Sequence, residues 1–307
     1  HLGVHAMSST LSPVPSHPNE QANEYANEYT RISVSPLAGA LGAEIGGVDV
    51  SRPIDDATFA EIRRAWREHL VIFFRGQALD DDALTAFGRR FAPLFRHPNL
   101  LTEGPYPDIV RIRRTPGDTQ IVGEDWHADT TCMAEPPSGA VLYGVDVPPY
   151  GGDTLFANGY LAYERLSDGM KALLSNLKAV HSDITVAGPQ AGRNKHRTNK
   201  VREDAQWRET VSEHPVVRTH PETGRKTLFV NKSYTQRFSA MTSEESAPLL
   251  GFLLQHAARP EFTCRFRWEK GSVAVWDNRC TLHIAVNDVW KFPRVMHRVQ
   301  MCGDRPV

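Results

Sequence analysis

Apolar and polar positions divide the chain into a patternless leader and a long series of short periodic segments. From His1 to about Tyr29 the chain has little aliphatic content and is rich in Ser, Pro, Asn and Glu, with Ala22-Asn23-Glu24-Tyr25 repeated at Ala26-Asn27-Glu28-Tyr29. This leader lacks the apolar core of a secretory signal. Residues 1–29 are expected to form a disordered tail, with the residues ahead of Met7 read as an expression-vector addition. Residues 30–307 are expected to form a single domain.

Patterned sequence begins near Arg31. Ile32-Ser33-Val34 alternates as a strand does, and Leu41 to Val50 reads as extended chain bent at its glycines. Phe59, Ile62, Ala65 and Trp66 fall at helical spacing, which predicts a helix from Asp55 to about His69 capped by Asp55 or Asp56. Leu70–Phe74 is an apolar run of strand length. Asp80–Phe91 reads as a second helix, with its acids at the end the helix dipole favours.

Beyond it, short strands are expected at Ile109–Arg113, Ala140–Val145, Thr154–Phe156, Thr263–Trp268, Val273–Trp276 and Arg294–Gln300. Val216–Arg218 and Leu228–Val230 read as a hairpin turning through Pro221-Glu222-Thr223-Gly224. Helices are expected from Asn158 to about Leu177 and from Ser243 to about Ala258, the latter capped by Ser243 or Thr242. Many short strands, with helices mostly early or inserted, predict an α+β fold: a double-stranded β-helix (jelly-roll) core with inserted and flanking helices. Such a barrel can gather side chains from distant strands around one mouth.

Composition narrows the classes. The 307 residues carry 35 Lys+Arg against 36 Asp+Glu, a net charge of −1, so no global field draws the chain to nucleic acid or membrane. No apolar run approaches the roughly 18–20 residues of a spanning helix. A basic run from Arg193 to Arg202 lies in a polar stretch, about Thr185 to Glu213. It lacks the interleaved aromatics of single-strand binding and reads as a solvated loop or lid. Cys132, Cys264, Cys280 and Cys302 form no close pair, as in a cytoplasmic protein with reduced thiols. A homo-oligomer is compatible with all of this.

Candidate chemistry centres on Glu124-Asp125-Trp126-His127-Ala128-Asp129-Thr130-Thr131. On an extended chain the side chains of His127 and Asp129 point to one side and can meet a single ion. That is two thirds of the two-His-one-carboxylate set of non-haem Fe(II) oxygenases. The pair also fits a histidine hydrogen-bonded to a neighbouring carboxylate, and His181-Ser182-Asp183 repeats it. His283 is the best third ligand, though a core histidine would look the same. Arg294 and Arg298 share one face of the last strand beside apolar Val295 and Val299, where two guanidiniums are costly without anions to receive them. Arg96-His97-Pro98 lies in a loop and reads equally as a surface turn.

At this point the chain resembles the taurine dioxygenase/TfdA family of Fe(II)- and 2-oxoglutarate-dependent dioxygenases. The matching segments are Asp125–Asp129, Gly151–Leu155, His214–Pro221, Val275–Arg279 through His283, and Arg294–Arg298, in the family's order. The resemblance implies that His127, Asp129 and His283 bind Fe(II), and that Thr154 and Arg294 hold the distal carboxylate of 2-oxoglutarate. It implies that Arg298 and His97 meet an anionic substrate, and that Thr130 lies on the substrate side. O2 would be the second co-substrate, with succinate and CO2 as products. The carboxylate Asp129, which related halogenases lack, implies hydroxylation.

Departures from the taurine pattern concern the substrate. Gly123, Leu100 and Val186-Ala187 stand where taurine enzymes carry asparagine, tyrosine and serine-phenylalanine, and Tyr234 replaces another aromatic. Val122–His127, Val180–Ser182 and Phe262–Arg265 look closer to the aryloxyalkanoate branch, which lacks the Arg96-His97-Pro98 feature. The implied substrate is a small organic anion with an apolar body: an aryloxyalkanoate, a substituted alkanoate, or an alkyl sulfonate or sulfate ester. Other readings are taurine itself, a non-catalytic jelly-roll protein binding a small anion, and a zinc hydrolase using the same three ligands.

Overall fold

Asp55 and Asp80 each begin a helix by the same device. Each side chain accepts a backbone N–H three residues on, Asp55 from Thr58 at 3.0 Å and Asp80 from Ala83 at 2.7 Å. The computed structural model describes residues 29–97, 104–188, 191, 195, 196, 198 and 207–307. Helix α1 (Asp56–His69) ends where Leu70 turns left-handed at φ 66°, and β3 (Val71–Phe74) follows at once. Before it come β1 (Ser33–Pro36) and β2 (Ala43–Gly46), and after it α2 (Asp81–Phe91), β4 (Leu94–Phe95) and β5 (Val110–Arg114).

The middle of the chain supplies β6 (Gly139–Asp146), β7 (Thr154–Asn158), α3 (Gly159–Glu164), α4 (Asp168–Leu174), β8 (Lys178–Ser182) and α5 (Ile184–Ala187). Then follow β9 (Val211–Pro215), β10 (Val217–Thr219), β11 (Lys226–Leu228), β12 (Thr235–Phe238) and α6 (Ser243–Ala257). The last strands are β13 (Thr263–Phe266), β14 (Val273–Asp277), β15 (Thr281–Ala285) and β16 (Arg294–Met301). The result is a mixed α and β fold organised on one large sheet.

That sheet has eight strands in the order β1-β2-β3-β14-β6-β16-β4, with β5 also pairing β16. All its pairings are antiparallel except β2 with β3. A three-stranded sheet, β13-β7-β15, carries the other wall of the core. Between the two walls Phe73 stacks on Phe266 with centroids 3.9 Å apart, and Phe156 meets Trp276 at 5.8 Å. A second apolar cluster lies under α6, where Leu250 and Leu253 pack with Val216, Val230 and Phe238.

Three expectations change in detail. The single helix from Asn158 to Leu177 is two, because Ser167 caps a new helix on Met170 N and Leu166 turns inward. The polar stretch read as a loop ends in a strand, β9, which pairs antiparallel with β8. The stretch around His127 is not a regular strand: His127 makes a single bridge, and Thr130 sits at φ 52°. Of the basic run, Lys195, His196 and Thr198 are described and exposed; its other residues lie outside the described ones.

Where β14 ends, Asp277 gathers a buried ion network. Its Oδ1 accepts from Arg279 N and Nε, and its Oδ2 from Arg279 Nη2 at 2.6 Å and His220 Nε2 at 3.0 Å. Arg279 continues to Glu222 at 2.8 Å. Burial alone would raise the Asp277 carboxyl, but Arg279 and then His220 outweigh it and hold it well below the usual range. Asp277→Asn should therefore cost about 3–5 kcal/mol in urea unfolding, because it strands a buried guanidinium. A depressed carboxyl stabilises above its unfolded value, ~3.9, and the benefit is lost as pH falls through the folded value. Wild-type stability should drop steeply below about pH 4, and the variant should lack that part of the slope.

Candidate active site

His283 lies mid-strand on β15, with β7 hydrogen-bonded to one edge. On the other edge His127 forms a two-way bridge: His127 N donates to His283 O at 3.0 Å, and His283 N to His127 O at 2.7 Å. The bridge sets the imidazoles side by side, centroids 4.1 Å apart. Just past it the chain turns. Asp129 N donates to Asn278 Oδ1 at 3.3 Å, and the left-handed Thr130 folds the segment back. Asp129 Oδ1 ends 3.6 Å from His127 Nε2 and 3.9 Å from His283 Nε2.

These three ligand atoms all lie within 4.8 Å of one another, on buried residues. His127 Nδ1 donates to Asp125 O at 2.7 Å, which leaves the Nε2 lone pair facing the cluster. Asp129 Oδ2 is buried without a partner among the described residues. Burial raises the Asp129 carboxyl, but Arg298, 3.1 Å away, and the two histidines hold it well below the carboxylate range. Burial and then His127 keep His283 neutral. An ionised carboxylate with an unmet lone pair, the neutral imidazole of His283 and the inward-facing Nε2 of His127 fit a first-row divalent ion.

A second group with metal-ligand spacing, His220, Asp277 and Cys280, does not fit one. Backbone N–H groups of Glu222 and Thr223 donate to His220 Nδ1, both at 3.2 Å, so its Nε2 carries the proton given to Asp277. No imidazole lone pair remains there for an ion. Of the repeated His181-x-Asp183 pair, His181 serves the first site from behind. Thr131 Oγ1 accepts from Asn231 Nδ2 and shares a hydrogen bond with His181 Nδ1, each at 2.9 Å. His214 Nε2 meets the carbonyls of Thr131 and Met133 at 2.9 and 3.0 Å, which fixes the turn carrying Asp129. Asp183 turns away and accepts from Thr210 N.

A cavity of about 470 Å³ opens at His127 and His283 and reaches Thr154, Arg294 and Arg298. Leu142, Met296 and Ile112 give it apolar wall. The structure thus brings together residues from β5, β6, β7, β15, β16 and the segment around His127. Arg294 is 9% exposed, yet its Nε and Nη2 have no partner among the described residues. Burial, with the guanidinium of Arg114, lowers its pKa to about 10. Thr154 Oγ1 accepts from Trp268 Nε1 at 2.9 Å, so its own proton is free to be donated.

The expected substrate residues divide. Gly123 lines the cavity for a backbone reason: at φ +82° a Cβ would lie 3.0 Å from His127 Cε1. The departure from asparagine noted there in sequence thus coincides with close packing on His127. His97 is half-buried and feels both Arg298 and Asp129; burial, then Arg298, lowers its pKa. Tyr234 is buried near Asp129 and Cys132, and its hydroxyl is raised chiefly by burial. His97, Thr130, Tyr234 and the half-buried Val186 on α5 are not in the cavity wall among the described residues. Leu100 lies outside the described residues. Sequence reading missed Asn278, Asn231 and Thr131. The Asp277-Asn278 dipeptide, polar at the end of an apolar strand, was the available signal.

A sheet-walled cavity with this donor set and an unmet guanidinium defines the class: a non-haem Fe(II)- and 2-oxoglutarate-dependent dioxygenase, with O2 as the other co-substrate. The chain belongs to the TauD/TfdA family, whose model, described as taurine catabolism dioxygenase TauD, TfdA family, matches residues 33–300. It is 37% identical to an alpha-ketoglutarate-dependent sulfate ester dioxygenase of Pseudomonas putida, over 90% of this chain and 91% of that one. It is 31% identical to an (S)-phenoxypropionate/alpha-ketoglutarate-dioxygenase of Delftia acidovorans, over 89% and 96%. A crystal structure of a taurine dioxygenase from Burkholderia xenovorans superposes with a TM-score of 0.76 at 37% identity, covering 91% of each chain. Among the described residues no helix is long and apolar enough to cross a membrane.

The support behind Asp129 gives a direct test. Thr131→Val removes one hydroxyl that serves both His181 and Asn231, so it should cost about 2 kcal/mol of stability by thermal or urea unfolding. Fe(II) affinity should fall along with it. Unchanged stability would mean that the Thr131 hydroxyl does not hold the turn.

Proposed function

We propose that His127, Asp129 and His283 bind Fe(II), that Thr154 and Arg294 grip the distal carboxylate of 2-oxoglutarate, and that Arg298, with His97, receives the anionic head of the substrate. The observation that carries this is a buried guanidinium, Arg294, with two unpartnered nitrogens in the wall of the cavity that holds the three donors. A bidentate carboxylate is the group a planar guanidinium fork suits. The proposed architecture is a double-stranded β-helix, with the eight-stranded sheet and β13-β7-β15 as its two halves. Residues 30–307 are taken as one catalytic domain. A cytoplasmic setting is supported by the four free cysteines.

Fe(II) held by His127, Asp129 and His283 would supply O2 activation, one oxygen atom going into the succinate formed with CO2 from 2-oxoglutarate and the other into a substrate C–H bond. The protein's own part is placement. Arg298 holds the Asp129 carboxylate ionised and in line, and offers its remaining nitrogens to the substrate. Leu142, Ile112 and Met296 provide apolar contact for the body behind the charged head and exclude water. The substrate class is a small organic anion with an apolar tail. An alkyl sulfate ester is favoured over an aryloxyalkanoate, because the sulfate ester enzyme shares more of the sequence and the Arg96-His97-Pro98 feature is kept. Gly123 has no side-chain amide to receive an amine such as that of taurine.

The test is an anaerobic titration with Fe(II) and 2-oxoglutarate, followed through the weak visible charge-transfer band of the chelate. Alkyl sulfates, aryloxyalkanoates and taurine are then added in turn. A band that shifts with alkyl sulfates is expected, and no band at all would sink the reading. Arg294→Ala should weaken 2-oxoglutarate by about 30-fold or more, in line with losing about 2 kcal/mol from a buried charged contact. Arg298→Ala should keep 2-oxoglutarate binding within a few-fold but abolish the substrate-induced shift.

A further inference from the structure

Arg294 does not stand alone. In the antiparallel pairing of β5 with β16 its direct cross-strand partner is Arg114. Directly opposed residues project from the same face with Cβ atoms about 5 Å apart, and like charges so placed repel. Both side chains are buried, at 5% and 9% exposure. Arg114 Nε has no partner, and its Nη2 reaches only Phe292 O at a long 3.4 Å. Among the described residues neither guanidinium forms an ion pair. Of the carboxylates nearby, Asp153 Oδ2 accepts from Arg265 at 2.6 Å while its Oδ1 has no partner, Asp288 Oδ1 accepts from Gly152 N at 2.7 Å and Asp118 Oδ2 from Thr115 N at 3.0 Å; none reaches either guanidinium.

The two arginines face one cleft of about 400 Å³, with Gln120, Gly152 and Val286. Arg294, Ile112 and Val122 are common to this cleft and to the metal-side cavity, so the two spaces meet at Arg294. Gly152, at φ +68°, leaves the approach bare; even a Cβ there would lie 3.8 Å from Arg294 Cδ and Nε. Gln120 Oε1 is buried nearby without a partner. Two opposed, buried cations with open nitrogens amount to a standing cost that an anion removes. A carboxylate has two oxygens with about four acceptor positions, enough for two guanidinium forks.

We propose that Arg114 is a second 2-oxoglutarate-binding residue, so that the distal carboxylate is clamped between Arg294 on β16 and Arg114 on β5. This rests on the co-substrate reading given above and extends it to a residue on another strand. The clamp selects oxo acids by the far carboxylate and leaves recognition of the oxo-acid end to the metal side.

The experiment compares wild type, Arg114→Met and Arg294→Met in the anaerobic Fe(II)-loaded protein, by calorimetric titration with 2-oxoglutarate and with 2-oxobutyrate, which has the same oxo-acid end and no distal carboxylate. Arg114→Met is expected to weaken 2-oxoglutarate about 10-fold and to leave 2-oxobutyrate within about two-fold. Arg114→Lys keeps the charge without the fork and should weaken 2-oxoglutarate about three-fold; it decides the matter if the Met variant does not fold. Equal weakening of both oxo acids would mark a structural role and overturn the proposal. Unchanged 2-oxoglutarate binding in the Arg114 variants, with loss in Arg294→Met, would overturn it and leave the co-substrate reading intact. No loss in either arginine variant would sink both.

Discussion

Everything at this site hangs on one backbone contact, the reciprocal pair of hydrogen bonds between His127 and His283. It is a single bridge and not a ladder. β15 can accept it because β7 occupies only its other edge. A longer pairing would carry Ala128 and Asp129 along the strand and point Asp129 wherever the pleat dictated. Stopping after one residue lets the left-handed Thr130 bend the chain, so that Asp129 returns to face both imidazoles. That conformation is costly for a β-branched residue, and the fixed partners around Thr131 hold it in place. The strain and the precision of the ligand set have the same origin.

Buried charge is distributed by a consistent rule. Structural charges meet a counter-charge of the protein: Asp277 is met by Arg279 and His220, and Arg218, though its Nε has no partner, by both oxygens of Asp304. Charges at the cavity are left open, as with Arg294, Arg114 and the second oxygen of Asp129. Open buried groups cost stability, and a fold tolerates them where a ligand completes them. The contrast separates His220-Asp277-Cys280 from His127-Asp129-His283 although both have suitable spacing. In the first the imidazole proton is already committed; in the second the lone pairs are free.

Much of this was legible in the sequence. Helix starts at Asp55, Asp80 and Thr242 follow from cap chemistry that acts over three residues, so local reading suffices. Strand β14 follows from a short apolar run buried throughout, and the Arg294/Arg298 face of β16 from spacing of period two. The His127, Asp129 and His283 positions came from motifs, and the geometry brings them together. What was not legible depends on tertiary partners. β9 is polar and is a strand only because β8 offers it an edge. The helix break at Ser167 reflects a contest between cap and continuation that periodicity alone does not decide. Gly123 looked like lost side-chain contact, whereas its role lies in backbone sign and the approach of His127.

Arg114 illustrates the same boundary from the functional side. In sequence it lies one residue beyond the strand expected at Ile109–Arg113 and carries no signal of its own. Register supplies one. Pairing with β16 sets Arg114 opposite Arg294, while Arg111 on the same strand turns to Asp81 on α2. A basic strand is thereby divided into an arginine that ties the sheet to a helix and one that lies open beside the cavity. Residues identical in type differ in consequence because one meets a carboxylate of the protein and the other does not. Reading which buried charges a fold leaves unanswered is therefore a direct way to locate where its ligands' charges lie.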